Sequence, residues 1–184
     1  MTKTLLLIDG NSLAFRAFYA MHNQLDRMIS HNGLHTNALV AFNNFFDKIV
    51  DKLQPDYALV AWDAGKGIST FRGKIFSDYK GGRQTTPPEL SEQFPYLRKM
   101  VDLHGIHSYE LPSFEADDII GTYAKKAEQA GLLTTIITGD RDLTQLVSDR
   151  VLVQVTKKGV TDLDAYTPDF LAKKMGGHQS GTSY

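Results

Sequence analysis

Seven carboxylates stand where chemistry could be done: Asp9, Asp63, Glu115, Asp117, Asp118, Asp140 and Asp142. Two short runs hold five of them, Ser113-Phe114-Glu115-Ala116-Asp117-Asp118 and Thr138-Gly139-Asp140-Arg141-Asp142. Acids in the first turn of a helix complement its dipole, and an Asp after a strand commonly caps the next helix. For either run alone, that structural duty is the preferred reading. The recurrence of acids at two further strand ends reverses the preference. Carboxylates gathered in one crevice repel one another strongly unless a cation compensates them. An all-oxygen set selects hard divalent ions, and Mg²⁺ in particular is held by carboxylates while keeping several waters. Two such ions, about 3.5–4 Å apart, can activate a water and stabilise the leaving oxygen of a phosphodiester.

The acids need elements to present them. Thr4 to Ile8 is a continuous apolar run, as in a central parallel strand covered on both faces, and it ends in Asp9-Gly10-Asn11-Ser12. Helical spacing follows through Leu13, Phe15, Arg16, Phe18 and Tyr19. Asn32-Gly33 marks a turn, and Asn37 to Leu53 is a second helix with Leu39, Val40, Phe42, Phe45, Phe46 and Ile49 as its core face. Tyr57 to Trp62 repeats the arrangement of strand, acid and turn with Asp63-Ala64-Gly65. A helix starts at Thr86-Pro87-Pro88-Glu89 and packs Leu90, Phe94, Leu97 and Val101 inward.

His107 to Leu111 is a short strand leading to the acidic helix, whose apolar face carries Ile119, Ile120, Tyr123, Ala124 and Ala127. Leu132 to Ile137 is a buried strand, so Asp140 and Asp142 fall past its carboxyl end. Asp142 to Leu146 opens a short helix, Val151 to Val155 is a strand, Lys157-Lys158-Gly159 a turn, and Thr167-Pro168-Asp169 starts a last helix to Met175. Strands alternating with helices predict a mainly parallel α/β sheet wound on both faces, with ligands at the carboxyl ends of the strands.

The composition narrows the classes. At 184 residues, 42% hydrophobic and 22% charged, the chain is one soluble domain by length. Twenty Lys and Arg against 21 Asp and Glu give a net charge of −1, so nucleic-acid binding requires a local basic patch. No cysteine is present, which excludes disulfides and thiolate metal sites. The apolar stretch at the amino terminus is too short for a signal peptide, and a cytoplasmic location is the default. There is no P-loop, no dinucleotide Gly-x-Gly-x-x-Gly fingerprint and no Ser/His/Asp arrangement. His22, His31, His35, His104 and His107 show no ligand pairing and read as surface or satisfied residues.

One segment differs in character. Between Lys66 and Arg83 the cations Lys66, Arg72, Lys74, Lys80 and Arg83 interleave with Phe71, Phe76 and Tyr79, among Gly73, Gly81 and Gly82. Such a segment suits phosphate contact with base stacking. A solvated loop with tucked-in aromatics is the competing reading, and for this segment alone it is the simpler one. Beside an acid pocket, metal-assisted cleavage of a nucleic acid becomes the most economical reaction.

Leu7-Ile8-Asp9-Gly10-Asn11, Trp62-Asp63-Ala64, Phe71-Arg72, Tyr79-Lys80-Gly81-Gly82-Arg83, Phe114-Glu115-Ala116-Asp117-Asp118 and Thr138-Gly139-Asp140-Arg141-Asp142-Leu143 occur in the order found in the 5′-nuclease (flap endonuclease) family. From about Lys3 to Gly177 the chain resembles the N-terminal 5′→3′ exonuclease domain of bacterial DNA polymerase I, Gram-positive type. The resemblance implies a PIN-like α/β fold over residues 1–177, a helical arch over about 66–95 and a disordered tail at 178–184. It implies hydrolysis of DNA phosphodiesters at a 5′ flap, 5′ end or RNA primer in replication and repair, with two Mg²⁺ ions for which Mn²⁺ can substitute. Asp9, Asp63, Glu115 and Asp117 would supply the first ion, with Asp118, Asp140 and Asp142 completing the pocket. Lys80 and Arg83 would contact the scissile phosphate, Tyr79 would stack on a base, and Phe71, Arg72 and Arg16 would help bind the nucleic acid.

Two departures from the family pattern bear on these expectations. Family members continue past the position of Gly177 into a Gly-Asp-x-x-Asp-Asn segment with further metal ligands, then a helix-hairpin-helix region, which the stretch ending at Tyr184 does not match. Extra residues, Gly67-Ile68 or their neighbours, also stand between Asp63 and Phe71. The expectation is therefore attenuated activity, or activity with Mn²⁺ only. A catalytically silent DNA-binding remnant and a PIN-type RNase are the alternatives.

Overall fold

The computed structural model describes residues 2–64, 85–157 and 162–176. Six strands form one sheet in the order β3-β2-β1-β4-β5-β6. They are β1 (Thr4–Asp9), β2 (Tyr57–Trp62), β3 (His107–Glu110), β4 (Leu133–Thr138), β5 (Val151–Thr156) and β6 (Leu163–Tyr166). The first five run parallel, and β6 pairs antiparallel with β5. The helices are α1 (Gly10–Ala20), α2 (Asn37–Leu53), α3 (Pro88–Ser91), α4 (Phe94–Leu103), α5 (Ala116–Gln129) and α6 (Pro168–Gly176), with 3₁₀ turns at His22–Arg27 and Arg141–Leu146. Among the described residues, no helix is long and apolar enough to cross a membrane.

The sheet is covered on both faces because its central strands are apolar on both. Successive strand residues point to opposite sides. Leu6, Ile8, Val60, Trp62 and Ile137 meet Leu13 and Phe18 of α1, Phe42 and Phe46 of α2, and Leu97 and Val101 of α4. Leu7, Ala61, Ile136, Val153 and Val155 meet Ile119, Ile120 and Ala124 of α5 on the other side. Every one of these residues is buried, and burying each large aliphatic or aromatic side chain is worth about 1.5–3 kcal/mol. β1 lies at the centre, between β2 and β4, so its carboxyl end has neighbouring strand ends on both sides.

The expected elements are present with three corrections. The helix expected from Pro87 onward is two helices, broken at Glu92 and Gln93. Pro95 cannot donate to a continuing helix and its ring opposes the carbonyl of residue 91. The break lets the buried Gln93 side chain accept from Ala38 N (3.0 Å) and Leu39 N (3.1 Å) and donate to Asn37 Oδ1 (2.9 Å). It thereby satisfies open N–H groups at the start of α2. Val40 and Tyr123, expected inside, are more than a third exposed, and Tyr123 instead meets Tyr109 edge to face. The short helix expected after Asp140 is present as a 3₁₀ turn. β6 was not foreseen, because Leu-Asp-Ala-Tyr carries too little apolar sequence to read as a strand alone.

Leu90, Leu97 and Val101 are fully buried, so the segment from Pro88 belongs to the body of the domain. The earlier part of the expected arch, most of the Lys157-Lys158-Gly159 turn and the tail lie outside the described residues. The histidines behave as expected where they have polar partners: His35 Nδ1 meets Glu92 at 2.6 Å and His104 Nε2 meets Asn43 at 3.1 Å.

Candidate active site

Three adjacent strands deliver the acids to one edge. β1 ends in Asp9, which caps α1: its Oδ1 accepts from Ser12 N at 3.0 Å. Gly10 opens α1 against Trp62. A Cβ there would lie 2.6 Å from the Trp62 ring, so only glycine lets the start of α1 pass this close to the indole. That indole is fixed by stacking on Phe42, an edge contact with Phe94, the Arg98 guanidinium 5.2 Å from its centroid, and an Nε1–H bond to Ser108. β2 then presents Asp63, whose N–H donates to Asn11 Oδ1 at 3.0 Å and whose Oδ1 accepts from Ala116 N at 2.8 Å. One carboxylate thus ties the end of β2 to the start of α5.

At that helix start Glu115 is the capping residue, and Asp118 Oδ2 accepts from Glu115 N at 3.1 Å in a capping box. β4 ends in Thr138, whose hydroxyl donates to Asp9 Oδ2 and accepts from Asp140 N, both at 3.0 Å. Asp140 Oδ1 in turn accepts from Asp142 N at 2.9 Å. Between them Gly139 donates to Ser12 Oγ at 2.6 Å, and a Cβ at Gly139 would collide with that oxygen.

The result is a pocket of about 510 Å³ lined by Asp9, Asp63, Glu115, Asp117, Asp140 and Asp142, with Arg16 as its one cationic lining residue among the described residues. Asp118 stands just outside it, engaged in the capping box. Burial pushes the Asp9 carboxyl up to about 7. The bonds from Ser12 and Thr138 pull it down, and the charges of Asp63 and Asp140 add to the rise. Anionic Asp9 is therefore held at a cost that a bound cation would relieve.

Among the described residues, no three acidic or histidine side chains are arranged to hold one ion together. The donor set nonetheless fits a hard divalent ion: it is all oxygen and faces one pocket.

Arg16 is at the pocket wall and donates to Lys157 O at 3.1 Å. Phe71, Arg72, Tyr79, Lys80 and Arg83 lie outside the described residues. Sequence reasoning passed over Asn11, Ser12, Phe15, Tyr19 and Gly139, all of which line the pocket, and Thr138, which braces Asp9. Asn11 and Ser12 carried a signal, since polar residues after a strand-ending Asp bond to neighbouring backbone. Thr138, the last residue of an apolar strand, carried none.

The six-stranded, mostly parallel sheet with its covering helices has the fold of the phage T5 5′-nuclease structures. The T5 D15 protein crystallised with metal ions aligns at a TM-score of 0.67 with 22% identity, over 95% of this chain and 61% of that one. The T5 D15 flap endonuclease in a pseudo-enzyme-product complex with DNA and metal ions aligns at 0.63 with 19% identity, over 96% and 60%. Residues 4–176 match the family described as 5′-3′ exonuclease, N-terminal resolvase-like domain, and the chain belongs to that family. DNA polymerase I of Streptococcus pneumoniae strain R6 is 51% identical over 174 residues, and that of Geobacillus stearothermophilus 53% over 179. These alignments cover 95% and 96% of this chain but only 20% and 19% of the polymerases, so it spans about a fifth of their length.

Proposed function

We infer that this domain is a divalent-metal-dependent 5′ nuclease. It hydrolyses DNA phosphodiesters at a 5′ flap or 5′ end, including RNA primers, in the cytoplasm during replication and repair. The observation that carries the reading is the convergence of six carboxylates, from the ends of β1, β2 and β4 and the start of α5, in one pocket. Family membership and the DNA- and metal-bound T5 structures support it.

Asp9, Asp63, Glu115, Asp117, Asp140 and Asp142 would hold two Mg²⁺ ions, with Asp118 adding its negative charge beside them while it positions the start of α5; Mn²⁺ would substitute. Bound there, the ions supply a water acidic enough to attack at neutral pH and stabilise the leaving oxygen. The protein's own part is to position. The backbone N–H of Ser12 and the Thr138 hydroxyl orient Asp9. Ala116 N orients Asp63. Arg16 is the cation at the wall that a phosphate entering the pocket would meet. Lys80 and Arg83 would neutralise the scissile phosphate, and Arg72, Phe71 and Tyr79 would bind the adjoining strand by charge and stacking.

The test is cleavage of a 5′-labelled flap with Mg²⁺, then Mn²⁺, beside the Asp140→Asn variant, which keeps an oxygen for Asp142 N. Metal-dependent cleavage that falls in the variant is expected. Cleavage that survives chelation, that is equal in the variant, or that favours unstructured RNA over the flap would overturn the reading.

A further inference from the structure

We propose that Thr138 is a positioning residue for the metal site, its hydroxyl orienting the Asp9 carboxylate and the Asp140 loop together. The inference rests on the metal reading of Asp9 given above.

Thr138 is fully buried at the end of β4. Its Oγ1 accepts from Asp140 N at 3.0 Å, so the hydroxyl proton is free to point elsewhere, and the neighbour placed to receive it is Asp9 Oδ2, also at 3.0 Å. The other Asp9 oxygen already accepts from Ser12 N. Both carboxylate oxygens therefore receive donors from the protein, which fixes the plane of the carboxylate and directs its remaining lone pairs. A second tie runs alongside, from Gly139 N to Ser12 Oγ at 2.6 Å. Beyond the sheet pairing of β1 with β4, the end of β1 and the first turn of α1 are thus tied to the end of β4 by two side-chain hydrogen bonds, and of these two ties it is Thr138 that touches an acid on each side.

Removing the hydroxyl while keeping the shape isolates this role. Groups that orient a metal's ligands typically cost about 10–100-fold in metal affinity when lost. Thr138→Val should weaken Mn²⁺ binding to the whole chain, read by calorimetric titration, by about that factor. Thr138→Ser, which restores the hydroxyl, should bind as the unsubstituted chain does. Flap cleavage in Thr138→Val should recover partly at high Mn²⁺, a change in metal dependence that simple loss of folded protein would not produce.

Asp9→Asn distinguishes the two layers. Unchanged Mn²⁺ binding in Asp9→Asn would overturn the metal reading itself. Weakened binding there, with unchanged binding in Thr138→Val, would overturn only the positioning role. Equal loss in Thr138→Ser and Thr138→Val would overturn it as well, because packing of the γ-methyl would then be what matters. If Thr138→Val fails to fold, Thr138→Ala takes its place in the same comparison with Thr138→Ser, from which it differs only by the hydroxyl.

Discussion

Gly10→Ala sets two opposed effects against each other. Gly10 lies in the first turn of α1, where alanine ordinarily stabilises by about 0.4–1 kcal/mol through the unfolded chain. Here the added Cβ would stand 2.6, 2.7 and 2.8 Å from three atoms of the Trp62 ring, closer than side-chain carbons pack. The indole has no room to yield. It is fully buried, stacked on Phe42, met edge-on by Phe94, and bonded through Nε1 to Ser108 at 2.6 Å. Overpacking a fixed core costs about 1–3 kcal/mol, so the clash outweighs the propensity gain and the variant is destabilised by roughly 0–2.6 kcal/mol net, most of that range clearly unfavourable. For a chain of this size each kcal/mol moves the melting midpoint by about 2–4 °C. The assay is urea unfolding of Gly10→Ala, Trp62→Phe and the double variant, with the cycle giving the coupling between the sites. The double variant should lose less than the two single losses together. A Gly10→Ala chain more stable than the parent would refute the reasoning, since the Trp62 face would then not be what demands glycine.

The remaining predictions concern charge, caps and contact. Asp9, raised to about 7 against an ordinary 3.8, binds its proton more tightly folded than unfolded. Its contribution to stability is therefore fully present below about pH 4 and lost as pH rises to 7, a change on the order of a few kcal/mol. Asp9→Asn should flatten that slope in metal-free thermal melts, and an unchanged slope would remove Asp9 as its source. Added Mn²⁺ should raise the melting midpoint more at pH 8 than at pH 5, because protons compete for the same oxygens. Asp118→Asn keeps an oxygen for Glu115 N and should fold normally while flap cleavage falls. Asp118→Ala should lose about 1 kcal/mol in addition, measured by urea unfolding. Gln93→Leu removes the partner of four groups, the N–H of Ala38 and Leu39, Asn37 Oδ1 and Glu89 O, and should cost on the order of 3 kcal/mol, checked the same way. Lys80→Ala should weaken DNA binding and lower the salt slope of log K by about 1; an unchanged slope would take Lys80 out of the interface.

What the sequence makes legible follows from the range of the physics. The apolar runs at Leu5 to Ile8 and Tyr57 to Trp62 identify their strands because strands buried on both faces cannot alternate polarity. Asp9, Asp63, Glu115 and Asp140 are legible as a set, since parallel strands put their carboxyl ends on one edge. The contacts that shape the pocket are not. Nothing near Thr138 in sequence reveals that its partner is Asp9, and nothing beside Gly10 reveals the Trp62 face. The amide of Gln93, freed where Pro95 breaks the expected helix, is used by α2, a demand arising more than fifty residues away. Val40 and Tyr123 were misplaced because helical periodicity gives a face but not how far the neighbouring element extends over it.

The central place of β1 also bears on the order of assembly. Its pairing with β2 joins segments about fifty residues apart, whereas its pairing with β4 waits for residues about 130 further along. Any route on which the amino-terminal half forms first leaves one side of Leu5 to Ile8 with unbonded amides and carbonyls until β4 docks, and such open apolar edges recruit other chains. The same delay keeps Asp9 and Asp140 apart until the last central strand arrives. Electrostatic opposition then falls on a closing step already driven by burial of Ile136 and Ile137, rather than on the nucleus that begins the fold.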